Sequence, residues 1–252
     1  MSKLCKINGL TYFFILSAIL TGMFKEFLIL FGIIIFHELG HVVAIKMYHY
    51  EIIGIEIMPF GGVTKIKKDI NSSINEEIII SISGILFQGI LFVVTSFLYQ
   101  NNIISREFYL LFNKYNFCIA IFNMLPIIPL DGANFFKAWL YKAFSFYKAN
   151  VIIVFMSFII WIVFMYVNYA WKLNNYFIGF FLVYKIIRYI KEYRYLENRF
   201  YLERYLKDYN FKKVKRIKKL RQMKKMYLHY AQLNRRIIGE KIILKKYFSQ
   251  SK

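Results

Sequence analysis

The sequence predicts an all-α polytopic membrane protein with about six transmembrane helices, a small membrane-embedded β-hairpin and a short basic cytoplasmic tail. Three observations lead to this prediction. Apolar residues make up 58% of the 252 residues, and the mean hydropathy is +0.42. They fall into long charge-free windows, and the net charge of +21 is concentrated near one end. This composition rules out disorder and collagen-like repeats, and it argues against a lone water-soluble domain.

Six windows free of Asp, Glu, Lys and Arg mark the predicted transmembrane helices. They are Ile7 to Phe24, Phe27 to Phe36, Ile78 to Tyr99, Tyr115 to Leu130, Ala149 to Trp171 and Leu173 to Tyr184. A helix needs about 20 apolar residues to cross about 30 Å of hydrocarbon. The second window must therefore continue to about Met47, and the sixth must extend towards Ile190.

Lys and Arg residues in the short loops predict the orientation, because these charges tend to stay in the cytoplasm. The loops on one side hold few of them: Lys25, Arg106, Lys114 and Lys172. The other side holds more: Lys46, Lys65, Lys67, Lys68, Lys137, Lys142 and Lys148, followed by the tail. We therefore expect a multi-pass protein with both termini in the cytoplasm. The first window is expected to be retained, since no small-x-small cleavage site follows Leu20.

The composition changes abruptly after the sixth window, and this change predicts two domains. Residues 1-190 form the six-span domain, and residues 191-252 form the basic cytoplasmic tail. From residue 185 onwards the chain holds 22 Lys or Arg and only 5 Asp or Glu.

The most basic part of the tail, Lys212 to Lys225, has nine Lys or Arg in fourteen residues. Apolar residues recur at every third position within it: Val214, Ile217, Leu220 and Met223. The pattern predicts a basic amphipathic helix that contacts anionic lipid at the cytoplasmic face of the bilayer. The alternative is that the codon bias of an AT-rich genome accounts for the lysines. No nucleic-acid-binding motif accompanies the charge, so no nucleic acid partner is expected.

The second window continues into the motif H-E-x-x-H at His37, Glu38 and His41. Two imidazoles at positions i and i+4 project from one face of a helix and can bind one zinc ion. Glu38 then lies beside the metal, where a carboxylate can take a proton from water and deliver it to a leaving amine. The alternative is a pair of hydrogen-bonded interior histidines, one of which pairs with Glu38. Charges within a hydrocarbon window usually mark function, which favours the metal.

A zinc site of this kind needs a third protein ligand, with the fourth position left for water. Among the carboxylates and histidines outside the motif, only Asp131 follows directly on an apolar window. Pro126 and Pro129 precede it, so a helix there must be broken. Broken helices within membranes normally line a site.

Two motifs together, HELGH and the later N-x-L-P-x-x-P-L-D-G that begins at Asn123, resemble the site-2 protease family of intramembrane zinc metalloproteases. The resemblance implies that His37, His41 and Asp131 bind Zn2+ and that Glu38 is the catalytic base. It also implies that Asn123 and Pro129 shape the cleft around the substrate, with Phe60, Gly61 and Gly62 as further cleft residues.

Within the family, the chain is most similar to the membrane proteases of endospore formers that release a sigma factor from its pro-form. This implies a sigma-factor pro-form as the substrate, the mother-cell side of the forespore membrane as the location, and inhibitory membrane partners. One feature departs from that pattern. Those proteases carry a cytoplasmic CBS domain, whereas residues 196 to 252 are too few and too basic for a full one. The tail is at most a truncated CBS-like remnant.

A short hairpin is predicted between the second and third windows. Residues Ile55 to Ile57 and Val63 to Lys67 alternate apolar and polar side chains, and Pro59 to Gly62 form the turn. Its edge could pair with an extended substrate, which replaces the backbone hydrogen bonds that a substrate helix loses when it unwinds. The alternative is an ordinary surface turn.

The function predicted from these features is that of a zinc endopeptidase which cuts a membrane-associated protein near the cytoplasmic leaflet. Two other functions share the H-E-x-x-H helix. A prenyl-protein-type zinc membrane endopeptidase would take its third ligand from a later Glu or His. A membrane metal transporter would use the same residues as a transit site, but would usually need more than one such constellation.

Overall fold

The computed structural model describes residues 5–7, 22, 24–58, 61–167, 173–233 and 236–250. Its elements are β1 (Cys5–Ile7), α1 (Phe24–Met47), β2 (Glu51–Met58), β3 (Gly61–Lys67), α2 (Ile74–Gln100), α3 (Arg106–Met124), α4 (Asp131–Ala143), α5 (Phe146–Val167), α6 (Leu173–Leu206), β4 (Lys213–Arg216), β5 (Tyr227–Leu233), β6 (Arg236–Gly239) and α7 (Glu240–Gln250).

The elements divide into two compact units. The first comprises Met1–Lys68 and Ile79–Met124, and the second comprises Asp69–Ile78 and Leu125–Lys252. The predicted domain boundary at residue 190 falls inside α6 and stays a prediction.

Three of the described helices are long and apolar enough to cross a membrane: α1, α2 and α5. They correspond to the second, third and fifth predicted windows. Most of the first window lies outside the described residues. The prediction of a largely helical fold with membrane-crossing helices is confirmed, and the count of six spans stays a prediction.

The first unit contains a small sheet with the strand order β1-β2-β3. β2 and β3 are antiparallel, and β1 lies parallel to β2. A small sheet is therefore confirmed, while its position within the membrane stays a prediction. Gly61 and Gly62 pair with Met58 and Ile57, so they begin β3 and are not part of the predicted turn. Phe60 lies outside the described residues.

Helices α1 and α2 approach each other closely at Gly40. A Cβ atom on Gly40 would lie 2.6 Å from the backbone oxygen of Ser83 and 3.0 Å from the ring of Phe87. Small residues of this kind allow helix backbones to come together within a membrane, where packing drives association. Gly40 thus brings the α2 backbone next to the face of α1 that carries His37 and His41.

The second unit has a core formed by α4 to α7 together with residues of the segment between α6 and β5. The rings of Phe146 and Phe200 stack with their centroids 4.2 Å apart. Ile217 and Met223, from the tail, belong to the same buried cluster. The backbone N–H of Phe146 donates to the carbonyl oxygen of Met223 at 2.9 Å, which fixes the tail at the start of α5.

The predicted amphipathic helix over Lys212 to Lys225 is wrong. The segment contains β4, which pairs in parallel with β5, and a short 3-10 helix at Leu220–Gln222. The apolar residues do not share one face, because Ile217 and Met223 are buried while Val214 is 62% exposed. Packing into the core of the second unit therefore overrides the helical periodicity.

Ionisable side chains are buried where the end of α6 meets β5 and α7. The side chain of Arg204 is fully buried and donates to Asn71 Oδ1 at 3.1 Å and Glu240 Oε2 at 3.2 Å. Lys225 forms an ion pair with Glu77 at 2.7 Å. Asn71 follows β3 and Glu77 is in the first turn of α2, so these contacts attach the segment between β3 and α2 to the tail.

Candidate metal centre

His37 and His41 lie one turn apart on α1 and are 4% and 8% exposed. Their i, i+4 spacing places both side chains on one face of the helix. The ring centroids are 4.8 Å apart with the rings nearly perpendicular, and the two Nε2 atoms are 3.2 Å apart. Two coordinating nitrogens are therefore side by side.

The Nδ1 atom of each imidazole faces an oxygen from α2. His41 Nδ1 lies 2.8 Å from the backbone oxygen of Ile80, and His37 Nδ1 lies 3.1 Å from Gln88 Oε1. Ser83 Oγ donates to the same Ile80 oxygen at 2.7 Å and lies 3.2 Å from His41 Nδ1. A carbonyl oxygen can only accept, so each neutral ring carries its proton on Nδ1 and keeps a lone pair on Nε2.

A metal ion beside the two Nε2 atoms, which are 3.2 Å apart, could accept a lone pair from each. Gly84 of α2 provides the space for such an ion. A Cβ atom on Gly84 would lie 2.5 Å from His37 Cε1, 2.6 Å from His41 Nε2 and 2.7 Å from His37 Nε2. Glycine therefore keeps the surroundings of both coordinating nitrogens open, as a metal centre requires.

Asp131 is the first residue of α4 and is partly buried. It follows a break in which the N–H groups of Ile127 and Leu130 donate to the carbonyl oxygens of Leu125 and Ile127, both at 2.8 Å. The predicted interruption of the helix before Asp131 is thus present. A carboxylate at a helix N-terminus is stabilised in its charged form by the helix dipole.

Ser157 of α5 provides a hydrogen-bond partner for the backbone of this break. The N–H of Ile128 donates to Ser157 Oγ at 3.1 Å. The hydroxyl of Ser157 faces the carbonyl oxygens of Pro126 at 3.2 Å and Ile153 at 2.7 Å. A broken helix in an apolar surrounding needs such partners, since each unpaired backbone group costs several kcal/mol in lipid.

His37, His41 and Asp131 each offer one ligand atom, and these atoms all lie within 4.8 Å of one another. Two imidazole nitrogens and one carboxylate oxygen form a donor set that zinc favours, with a fourth position left for water. The residues therefore fit a catalytic zinc ion.

Glu38, Asn123 and Pro129 are the remaining predicted site residues that the structure describes. Glu38 is next to His37 on α1 and is half-buried, and Asn123 is near the end of α3 and also half-buried. Pro129 is exposed in the break before α4. Their roles stay predictions.

Sequence reasoning missed the α2 residues that support the histidines, above all Gly84 and Gln88. Both lie in the third charge-free window, and they are four residues apart. A buried amide within a hydrocarbon window was a usable signal, because polar side chains there are costly and usually functional.

Comparisons with known proteins identify a matching family and several similar proteins. Residues 25–102 match Peptidase family M50, a range that includes both histidines and Gln88. The chain is 28% identical to Stage IV sporulation protein FB of Bacillus subtilis over 213 residues, which cover 81% of this chain and 73% of that protein. It is 30% identical to a zinc metalloprotease of Methanocaldococcus jannaschii over 129 residues, half of this chain and 37% of that protein.

The fold is also similar to that of a solved structure, a site-2 protease from Methanocaldococcus jannaschii. The TM-score is 0.58 at 21% identity, with 73% of this chain and 89% of the other covered. This likeness shows the fold. Together the comparisons confirm the resemblance to the site-2 protease family, and with it the coarser function of a membrane metalloprotease of that family.

Proposed function

We propose that the chain is an intramembrane zinc endopeptidase that cleaves a membrane-associated protein near the cytoplasmic face. The observation that carries the proposal is the convergence of His37, His41 and Asp131 within 4.8 Å. One relative is named as a zinc metalloprotease, which supports Zn2+ as the metal.

The division of labour among the residues follows from their chemistry. His37 and His41 present Nε2 lone pairs, and Asp131 supplies a negative oxygen. When bound, zinc would polarise the scissile carbonyl and lower the pKa of water. Glu38 acts as general base on the attacking water and then as general acid to the leaving amine.

Substrate binding is proposed to use the sheet of the first unit. Among the described strands, β3 is at an edge of the order β1-β2-β3. An extended substrate segment can pair with an edge strand and so satisfy its backbone groups during cleavage. Asn123, Pro129 and the residues Phe60 to Gly62 are proposed to shape the cleft.

The similarity to a sporulation protein supports the pro-form of a sporulation sigma factor as the substrate. The protein then lies on the mother-cell side of the forespore membrane, which it crosses several times with both termini in the cytoplasm. Inhibitory membrane proteins are proposed as further partners. The tail is proposed to contact anionic lipid through the exposed basic residues of β4, Lys213, Lys215 and Arg216. We expect no nucleic acid partner.

Co-expression with a membrane-tethered sigma-factor pro-form, followed by an immunoblot for the shortened product, tests the proposal. Wild-type protein should yield the product, and Glu38→Gln should yield none while retaining its zinc. If Glu38→Gln processes the pro-form as well as wild type, the protease assignment is wrong.

Two further measurements separate the other functions. A metal transporter would change cellular zinc content without a cut product, and Glu38→Gln would leave that change intact. A prenyl-protein-type endopeptidase would still bind zinc after Asp131→Ala, because its third ligand lies elsewhere.

A further inference from the structure

Gln88 is an amide side chain in the middle of the membrane-crossing helix α2, and it is only 2% exposed. Burying an amide away from water costs free energy unless its donors and acceptor are paired. The partners that Gln88 finds therefore explain why an amide is present at this position.

The orientation of the Gln88 amide is fixed by Asn116 of α3, which is itself 5% exposed. Gln88 Nε2 donates to the backbone oxygen of Asn116 at 3.3 Å, and Asn116 Nδ2 donates to the backbone oxygen of Gln88 at 3.0 Å. A carbonyl oxygen cannot donate, so the nitrogen end of the Gln88 amide must face Asn116. The oxygen end then faces His37 Nδ1, at 3.1 Å.

This chain of contacts determines which nitrogen of His37 carries the proton. Gln88 Oε1 can only accept, so Nδ1 is the donor and Nε2 keeps its lone pair. Nδ1 of His41 likewise donates to a backbone carbonyl oxygen, that of Ile80. One histidine is therefore held by the main chain and the other by a side chain that mutation can change.

We propose that Gln88, oriented by Asn116, is a positioning residue that holds His37 as the Nδ1–H tautomer with Nε2 directed to the metal. The inference rests on the proposed function, since it assumes that His37 is a metal ligand. Partners of this kind fix ring orientation and raise ligand basicity, and their loss typically weakens metal binding about 10- to 100-fold.

The experiment compares full-length variants in detergent micelles by zinc competition with a chelator. Gln88→Leu removes the acceptor, and Gln88→Met does so with an unbranched side chain in case Leu prevents folding. Gln88→Glu keeps an oxygen towards His37 and, as the protonated acid that burial favours, a donor towards the Asn116 carbonyl. Thr95→Val is the matched control, because Thr95 is also buried on α2 but bonds to Leu91 and Asn113.

Zinc affinity should fall about 10- to 100-fold in Gln88→Leu and Gln88→Met. Gln88→Glu and Thr95→Val should retain most of the wild-type affinity. The ¹⁵N shifts of His37 in the metal-free protein supply a second readout. Wild type and Gln88→Glu should show a protonated Nδ1, and Gln88→Leu should show mixed tautomers. A merely structural role would not move this signature.

Two results would overturn the proposal. One is wild-type zinc affinity and an unchanged His37 tautomer in Gln88→Leu or Gln88→Met. The other is an equal loss of affinity in the Leu, Met and Glu variants, which would assign the effect to packing. If wild-type protein itself binds no zinc, the proposed function fails first, and the two failures are thus distinguishable.

Discussion

The two units of the protein bury polar groups in opposite ways. Around His37 and His41 the buried side chains are imidazoles and amides, and hydrogen bonds to Nδ1 of each ring accompany two Nε2 atoms that lie 3.2 Å apart. Around Arg204 the buried side chains are charged. Arg204 pairs with Glu240 of α7, and Lys225 pairs with Glu77 near the start of α2.

The difference indicates what each region is for. Two coordinating nitrogens held side by side suit a metal ion, so the histidine region is arranged to bind one. Charges that neutralise one another within the protein need no ligand, so the Arg204 region is built to hold the tail against the segment after β3. Mutations should therefore affect metal and catalysis in the first region and stability in the second.

The largest effect is expected for catalysis at the histidine region. Glu38→Gln removes the proposed general base, so the rate of substrate cleavage should fall by about 10²- to 10⁴-fold. Zinc content and melting temperature should stay at wild-type values. A quantitative cleavage assay beside metal analysis checks this, and a rate within a few-fold of wild type would contradict it.

The next largest effect is expected for stability in the Arg204 region. Arg204→Met leaves Glu240 buried without its cation, and breaking a buried ion pair costs about 3 to 5 kcal/mol. Hydrogen exchange should show loss of protection in α7 and β5, with zinc binding retained. The matched control is Arg188→Met, because Arg188 pairs with Glu192 on the exposed surface of the same helix. Equal protection in both variants would remove the distinction between the two regions.

A steric test in the histidine region should have a smaller effect. Gly84→Ala places a methyl group 2.5 to 2.7 Å from the two imidazoles, and relieving such overpacking costs about 1 to 3 kcal/mol. Zinc affinity should fall about 5- to 150-fold. Gly89→Ala is the control on the same helix, since a Cβ there meets nothing within 4 Å. Similar zinc affinity in both alanine variants would show that Gly84 does not shape the metal site.

Acid should weaken the Arg204 region. Burial lowers the pKa of His229, whose Nδ1 faces Glu240 at 2.9 Å and whose Nε2 accepts the Lys224 N–H at 3.0 Å. Burial raises the pKa of Glu240, but hydrogen bonds from His229 and Arg204 outweigh it and lower the pKa overall.

Both shifts act in the same direction. Below about pH 6.5 the unfolded chain protonates His229 more readily than the folded one, and below about pH 4.5 the same holds for Glu240. Stability should therefore fall as pH drops through these values. Melting curves of His229→Gln should lose the upper part of this dependence, and His49→Asn, in an exposed turn, should keep it. An unchanged dependence in His229→Gln would contradict the assignment.

The smallest effect is expected at the surface of the tail. Lys213, Lys215 and Arg216 of β4 are exposed, and each cation near anionic lipid contributes about 1 kcal/mol. In bilayers that contain spin-labelled phosphatidylglycerol, changing all three to Gln should reduce the preference for this lipid over phosphatidylcholine. The control changes Arg236, Lys245 and Lys246 to Gln. Equal reductions would mean that the net charge of the tail matters and that β4 does not.

Local geometry explains which parts of the site could be predicted. The i, i+4 spacing of His37 and His41 is a property of one helix, and the break before Asp131 follows from two prolines nearby. Gln88 lies 51 residues from His37, and no local pattern reports how α2 packs on α1. The close approach at Gly40 that creates this contact is visible only in three dimensions.

The tail shows what sequence periodicity could not predict. Its basic, three-residue periodicity predicted a surface helix, yet Ile217 and Met223 are buried in the core around Phe146 and Phe200. Pairing of β4 with β5 is a contact between separate segments. Periodicity could identify the apolar residues of the tail, but not the neighbours that they pack against.

The most direct test of the central claim is the zinc affinity of the purified full-length protein with and without the carboxylate of Asp131. Wild type should bind about one zinc ion per chain, and Asp131→Ala should bind it more weakly by a larger factor than the 10- to 100-fold expected for Gln88. Asp69→Ala, which removes a partly exposed carboxylate paired with Lys207, should bind as wild type does. Equal zinc affinity in Asp131→Ala and wild type would contradict the proposed metal centre.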